Sequence, residues 1–382
     1  MAEILCFDKG GREARRSLVA EGRAPRDFFY GVMDLQQRGY DIEQMSSAGR
    51  YGDALGPVHR AMELAWSHLT RLGLRSHFLA GIQQQMRAAG VAISFTDGFS
   101  LTLGNFYRNI DAAAPFLIGC FHRLSDFESS VTPVLRPLVA RVIRRALHRL
   151  DHIAFFGPAD REFGISRYGL QREKTSIILF GVDTEFWTPD GTLPENFVFS
   201  AGQDPNRDFD TLVNVDLDIP IHLHTNLRVA VPSARTNVQI TDGSYFKGAL
   251  TDESLRNLYR RAMAVVVPLK DVYQPTGYSV TLQAMACGKP VVLSRIRGLW
   301  APELTRDGEN CLLVKPGDRA ALAAAISRLA ANPALREQLG RNARETVIAH
   351  FNLDKGARST EKLIRIGLES RHKRERQQTA GF

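Results

Sequence analysis

The stretch QPTGYSVTLQAMACGKPVVLS, Gln274–Ser294, carries a turn, a helix and a strand in immediate succession. Pro275, Thr276 and Gly277 mark the turn. The spacing predicts a helix from near Ser279 to about Cys287, with Gly288 just past its end and Pro290 barring continuation. Pro290–Ser294 follows as a short apolar run, the pattern of a buried strand. Gly277 allows close backbone approach. The first N–H groups of the helix, at Tyr278, Ser279 and Val280, have no intrahelical acceptor, and such an end favours phosphate. A plain loop–helix–strand connection fits the same residues.

Outward from this stretch the same alternation recurs. Glu3–Phe7, Ala92–Thr96, Phe116–Phe121, Ile153–Phe156 and Ser176–Phe180 read as strands, with helical patterns such as Asp27–Arg38 and Pro57–Leu72 between them. A second set restarts with Phe197–Ala201, Ile219–His224, Asn237–Ile240, Ala264–Pro268, Pro290–Ser294 and Cys311–Val314. The polar DGTLPEN segment, Asp190–Asn196, breaks both patterns and is read as the domain boundary. The expectation is two doubly wound α/β domains facing a central cleft: 1–190, then 196–350. Residues 351–370 are expected to form a helix that crosses back to the first domain, through Leu363, Ile364 and Ile366. Residues 371–382 are read as a frayed basic tail.

The bulk composition agrees. A chain of 382 residues with 44% hydrophobic and 24% charged residues can fill two cores and is not a disordered chain. Its formal charge of +8 implies an anionic partner without choosing one. Cys6, Cys120, Cys287 and Cys311 form no C-x-x-C pair and read as buried free thiols in a reduced compartment. The N-terminus shows no apolar signal region, and no apolar run reaches the length of a membrane span.

Three blocks, in order, resemble glycosyltransferase family 4. The first is Gln274–Ser294 with GLWAPELTRDGENCLLVKPGD, Gly298–Asp318, after it. The second is SAGQDPNRDFDTL, Ser200–Leu212, similar to the family's phosphate-contacting strand–loop–helix. The third is Asp151–Pro189, which ends in a G-V-D-x-x-x-W-x-P closure. The resemblance covers a little over half of the chain and is loosest over its first 115 residues. It implies a GT-B fold, a nucleoside-diphosphate sugar donor held mainly by the second domain, an acceptor on the first, retention of configuration and no cofactor or obligatory metal.

The carried-over site residues follow from it. Of the family's two glutamates, Pro275, next to Gln274, falls at the first place and Gln283 at the second, where a ribose diol would be held. Gln283→Glu is therefore expected to keep or tighten nucleotide binding. The family's diphosphate clamp is an Arg and a Lys. Gln203 stands at the first place and Arg207 at the second, and Arg207 can bind phosphate bidentately. An ion pair with Asp208 or Asp210 is the alternative for Arg207. Arg295 and Arg297, flanking Gly298, are candidates to replace the missing charge. The donor set is thus Gln203, Arg207, Gly277, Tyr278, Ser279, Gln283 and Gly298.

In the first domain His122 matches a family histidine near the transferring sugar, with a structural His as the alternative. His122 and Arg207 are the catalytic candidates. Asp97 and Gly98 end a strand on the same side and could contact the acceptor. Tyr30 and Gly31 compete with Gly10 and Gly11 for the place of the family's glycine loop. The expected reaction moves a sugar to a glycan, lipid-linked or small-molecule acceptor. Arg207 and the turn at Gly277–Ser279 would stabilise the leaving diphosphate. No glycosidase-type carboxylate pair is visible.

The arginine-rich Val134–His152 reads as a basic amphipathic helix. Leu138, Val142, Ala146 and Leu150 are on its apolar face and Arg141, Arg144 and Arg145 on the other. It could touch an anionic bilayer or simply cover the core. The localisation expected is cytoplasmic, with peripheral contact at the inner face of the membrane. A non-catalytic module that binds a sugar nucleotide is the alternative function. Nucleic acid is not an expected partner, because no recognition motif accompanies the basic charge.

Overall fold

The computed structural model describes residues 2–8, 10, 12–46, 56–107, 114–243 and 250–379. It divides into two compact units. Unit 1 comprises Met1–Ser17, Phe29–Leu179 and Gly356–Phe382, and unit 2 comprises Leu18–Phe28 and Phe180–Lys355.

Unit 1 is built on six parallel strands: β1 Ile4–Asp8, β2 Ile42–Ser46, β3 Val91–Ser94, β4 Phe116–Phe121, β5 His152–Phe155 and β6 Thr175–Ile177, in the order β2-β1-β3-β4-β5-β6. β1, β3, β4 and β5 are buried throughout. That is why they are largely apolar, as strands covered on both faces must be. β2 is the exception. It lies at the edge, half of it polar, and its sequence carries no clear strand signal.

Unit 2 repeats the plan with β7 Val198–Ala201, β8 Ile221–Thr225, β9 Val238–Asp242, β10 Ala264–Val267, β11 Val291–Ser294 and β12 Leu312–Val314, in the order β12-β11-β10-β7-β8-β9. Every pairing is parallel. All six correspond to the runs read from the sequence. The strand order reverses between β7 and β10, and ligands of doubly wound sheets bind at such a switch point, beyond the carboxyl ends of the strands.

The domain boundaries differ from those expected. The chain passes into unit 2 at Phe180, ten residues before Asp190. The cause is aromatic anchoring: Trp187 is fully buried and meets Tyr259 edge-on with ring centroids 5.6 Å apart, so the G-V-D closure packs with unit 2. Asp190–Asn196 is exposed chain within unit 2 rather than the junction. Leu18–Phe28 also belongs to unit 2, although both flanks belong to unit 1.

The C-terminal helix, Leu353–Thr379, starts in unit 2 and from Gly356 onward is part of unit 1. Ala357, Thr360, Leu363 and Ile364 are buried along one face. The frayed tail is corrected as far as Thr379: residues 371–379 are helical, Arg374 pairs with Asp151 at 2.6 Å, and Arg371 donates to the Ala89 carbonyl. Residues 380–382 lie outside the described residues.

The basic helix is Arg136–Arg149. Val139, Ala140, Ile143, Ala146 and Leu147 bury in the unit 1 core, while Arg141, Arg144 and Arg145 are exposed. The expected apolar face was misplaced. Leu138 is exposed and Val142 only partly covered, because the helix turns its Val139–Ile143–Ala146 side inward. Ala146 packs on Gly104 so closely that a Cβ at Gly104 would overlap the Ala146 backbone. Among the described residues no helix is long and apolar enough to cross a membrane. The four cysteines are free and buried.

Gly31 fixes where the C-terminal helix meets unit 1. Its φ is 79°, and a Cβ there would overlap Ala357 Cα. Beside it, the Thr360 hydroxyl donates to the Tyr30 carbonyl at 2.7 Å. Gly31→Ala is expected to lower stability by about 2–4 kcal/mol, from left-handed backbone plus overpacking. Gly22→Ala, with φ of 71° and nothing within 4 Å of the added Cβ, should lose only the backbone part, about 1 kcal/mol. Equal losses in urea denaturation would show that the contact with Ala357 carries nothing.

Candidate functional site

The turn of unit 2 follows β10. Gln274, Pro275, Thr276 and Gly277 are buried, and Gly277 has φ of 79°. Tyr278–Ala286 then forms the helix, closed at its far end by Gly288 (φ 71°) through Gly288 N–H to the Met285 carbonyl and Lys289 N–H to the Ala284 carbonyl. This is the Schellman end that the sequence announces. The Thr276 hydroxyl donates to Asp204 at 2.7 Å, which ties the turn to the loop after β7. Both loops therefore meet at the switch point.

Arg207 comes from that loop. Its side chain is only 6% exposed and lies directly against Gly202, where a Cβ would overlap the guanidinium. A Cβ at Gly277 would lie 3.2 Å from Arg207 Nη1. The two glycines thus admit the guanidinium to the helix N-terminus. Nε and Nη1 are buried and have no hydrogen-bond partner among the described residues. The ion pair with Asp208 or Asp210 does not form: Asp208 caps the Phe209–Val213 helix by accepting from Thr211. Burial holds the Arg207 pKa below its ordinary value, against the pull of Asp204 and Tyr259. A buried cation with donors unmatched, beside a helix N-terminus, is the composition of an anion site.

The other donor-side residues divide. Tyr278 packs edge-on against Phe180 and Trp300, and Ser279 is half-buried in the first turn. Gly298 lets its loop press on the backbone of Tyr273 and Gln274. Gln203 is turned away, its amide donating to the Gly243 carbonyl. Arg295 and Arg297 do not replace the missing cation. Arg295 pairs with Asp307 at 3.2 Å, and Arg297 pairs with Asp271 at 3.0 Å and lies over the Tyr273 ring.

Gln283 stands otherwise than expected. It is 4% exposed; its Nε2 donates to Asp27 Oδ2 at 2.9 Å, and its Oε1 accepts from the Tyr259 hydroxyl at 3.4 Å. Asp27, 1% exposed, also accepts from Trp187 Nε1 and from the Asp183 N–H, both at 2.7 Å. The expectation for Gln283→Glu is reversed by this neighbour. Two carboxyls in contact cannot both stay ionised when buried, so the substitution should weaken the site. No local pattern marks Asp27, which lies 256 residues from Gln283.

Unit 1 has its own cluster at the carboxyl ends of its strands. His122, after β4, stacks on Phe156 with centroids 4.1 Å apart, and its Nε2 bonds to the Phe95 carbonyl at 2.9 Å. Burial is the main reason its pKa is lowered, so the ring is neutral near pH 7. Asp97 accepts from the His122 and Arg123 N–H groups, and Gly98 packs against the Gly73 carbonyl. Tyr30 stacks on Phe95 at 4.8 Å with Arg12 over its ring, and burial pushes its phenol up to about 12. Of the competing glycines, Gly10 comes two residues after the end of β1, on the side where a doubly wound glycine loop belongs, and Gly31 faces the C-terminal helix. Gly11 lies outside the described residues.

Comparison with known proteins fits this geometry. Residues 225–332 match the family described as Glycosyl transferases group 1. The chain is 27% identical over 243 residues to MMP alpha-(1->4)-mannosyltransferase of Mycolicibacterium hassiacum, covering 59% of this chain and 58% of that one. It is 31% identical over 210 residues to alpha-maltose-1-phosphate synthase of Mycobacterium tuberculosis, covering 46% and 52%. The matches thus span little more than half the length of these relatives. Among solved structures, sucrose-phosphate synthase from Thermosynechococcus elongatus superposes with a TM-score of 0.69 at 19% identity, over 97% of this chain and all of that one. Anabaena HepE in complex with UDP and glucose gives 0.63 at 16% identity, over 95% and 99%. The fold is GT-B, with two Rossmann-like domains. The sequence matches show similarity to the group 1 glycosyl transferases.

Burial pushes the Asp27 carboxyl up from 3.8 to about 7, in spite of three hydrogen bonds. A raised folded-state pKa means the folded chain holds this proton more tightly. The associated stability is complete below the unfolded value and is lost as pH rises through about 7. The stability difference between wild type and Asp27→Asn should therefore shrink by about 2–3 kcal/mol from about pH 5 to pH 8. A difference independent of pH in chemical denaturation would show that Asp27 does not titrate in that window.

Proposed function

We propose that this chain is a glycosyltransferase that moves a sugar from a nucleoside-diphosphate sugar to a glycan, lipid-linked or small-molecule acceptor, with retention of configuration. The observation that carries this reading is the buried, unmatched Arg207 guanidinium at the N-terminus of Tyr278–Ala286. A diphosphate there would accept from Nε and Nη1 and from the first N–H groups of the helix. Support comes from the match of residues 225–332 and from HepE, a GT-B protein whose structure holds UDP.

The chemistry asked of the protein is modest. As the bond from sugar to phosphate breaks, negative charge grows on the leaving diphosphate, and fixed donors aimed at that charge lower the barrier. Arg207 and the turn at Gly277–Ser279 are the donors proposed for this work. On unit 1, His122 is proposed as a neutral hydrogen-bonding group rather than a cation, with Asp97 and Tyr30 shaping its surroundings. Asp97 holds the backbone of His122 and Arg123, and Tyr30 packs 5.8 Å from the His122 ring. The acceptor is proposed to lie on this side.

Arg207→Ala should weaken binding of nucleoside diphosphates by about 1.5–3 kcal/mol, the worth of charged hydrogen bonds. The control is Arg319→Ala, at an exposed position. Arg256 cannot serve, because it packs over Phe186 and donates to its carbonyl. UDP, ADP and GDP are titrated by calorimetry, and turnover is followed with radiolabelled sugar nucleotides. Equal affinities for the two variants would remove Arg207 from the site. Binding of a sugar nucleotide without any turnover would leave the non-catalytic module.

A further inference from the structure

The place where the resemblance expects a carboxylate holds an amide, Gln283, and a carboxylate from a remote segment touches that amide. Asp27 lies on Leu18–Phe28, a segment of unit 2. Its Oδ1 accepts from the Asp183 N–H, and its Oδ2 accepts from Trp187 Nε1 and Gln283 Nε2. Three donors converge on one carboxyl, and this decides which way the amide points. An acceptor on the Asp27 side requires the N–H₂ end of Gln283 there, so the carbonyl end faces the opposite way. On that side stands Tyr259, whose hydroxyl donates to Oε1. Tyr259 is near enough to Arg207 for its charge to act on the phenol.

We propose that Asp27 is a positioning residue for the nucleotide site: it fixes the Gln283 amide with its carbonyl oxygen toward Tyr259 and Arg207, so that Gln283 accepts a ribose hydroxyl as a glutamate would. This rests on the nucleotide reading of unit 2. The charge that the sequence lacks at position 283 is retained one hydrogen bond away, and Gln283 relays its acceptor character.

A consequence is pH dependence. Protonated Asp27 carries an O–H, which can donate to Gln283 Oε1 and turn the amide over. Nε2 would then donate to the Tyr259 hydroxyl oxygen, and the acceptor for the ribose is lost. The ionisable groups around Asp27 are few. Asp183 faces it from the G-V-D closure, its own carboxyl held by Arg26 at 3.4 Å, and Tyr259 faces it from the Asp252–Arg261 helix. Burial raises the Tyr259 phenol far above its ordinary range, so it stays protonated. The nearest titration is that of Asp27 itself, pushed up to about 7 by burial.

The test is calorimetric titration of the full chain with UDP from about pH 6 to 8.5, or with ADP or GDP if the preceding experiment ranks one of them first. Wild type, Asp27→Asn and Gln283→Met are compared. Gln283→Met keeps the volume and lacks the acceptor, so its profile reports the titration of the nucleotide alone. Wild-type affinity should rise roughly three- to tenfold more than that of Gln283→Met across the range, the worth of one neutral hydrogen bond. Asp27→Asn, whose amide can donate to Oε1 at any pH, should follow Gln283→Met. If Asp27→Asn does not fold, the comparison of wild type with Gln283→Met decides alone. Parallel profiles for wild type and Gln283→Met with measurable binding overturn the role of Asp27 and leave the nucleotide reading standing. No binding of any of the three diphosphates by wild type overturns the nucleotide reading, and this inference with it.

Discussion

A guanidinium removed from water without a bonded carboxylate is unfavourable by several kcal/mol, and among the described residues no carboxylate bonds Nε or Nη1 of the buried Arg207. Two glycines, Gly202 and Gly277, make room for it, and neither admits a side chain without striking the guanidinium or its neighbours. Asp204 could have neutralised it, yet that carboxylate accepts from Thr276 and from the Asn206 N–H instead. The loop after β7 and the turn after β10 are thus bound to each other while the cation between them is left unmatched. An arrangement that costs stability in the free chain is explained if an anion completes it.

The sheet order gives the same place independently. β7 and β10 are neighbours whose connections leave in opposite directions, so their carboxyl ends open a crevice. Arg207 follows β7 and Gly277 follows β10. The helix that starts at Tyr278 then contributes its N-terminal partial positive charge at the same point. Topology, helix dipole and guanidinium coincide without any one requiring the others. Arg295 and Arg297, after β11, are one strand further from the switch point and carry their own aspartates.

Legibility in the sequence followed burial. Strands of unit 2 such as VVLS and AVVV are apolar because both faces are covered, whereas β8, IHLHT, alternates and β9, VQITD, is mostly exposed. β2, IEQMS, sits at an edge where one side meets solvent, and its residues carry no such mark. The turn at Gly277 and the helix end at Gly288 were readable because glycine is the residue that left-handed backbone demands there. Arg207 was singled out by the resemblance, not by any local pattern. The domain boundary was misjudged because polarity and Pro/Gly content mark an exposed segment, whereas the unit a segment joins is set by anchors such as Trp187. The neighbours of Gln283 were hidden for a related reason. Its surroundings are made by Asp27, Trp187 and Tyr259, brought together only by the fold.

The two units divide the chemistry by the way each treats charge. Unit 1 places His122 between Phe156 and the Phe95 carbonyl, and burial lowers its pKa so that the ring stays neutral. Its nearest cation, Arg12, is held by Asp8 at 3.6 Å and by the Tyr30 face. A neutral ring and a compensated arginine suit hydroxyl groups better than phosphates. In unit 2 the compensation is incomplete: Asp204 acts on Arg207 through its charge but accepts from Thr276 and the Asn206 N–H, and Asp27 is turned toward Gln283, Trp187 and the Asp183 backbone. In the proposed function the phosphate goes to the unit whose buried cation lacks a bonded carboxylate. The net charge of the chain could not have shown this, since it does not separate exposed arginines such as Arg141, Arg144 and Arg145 from the buried Arg207.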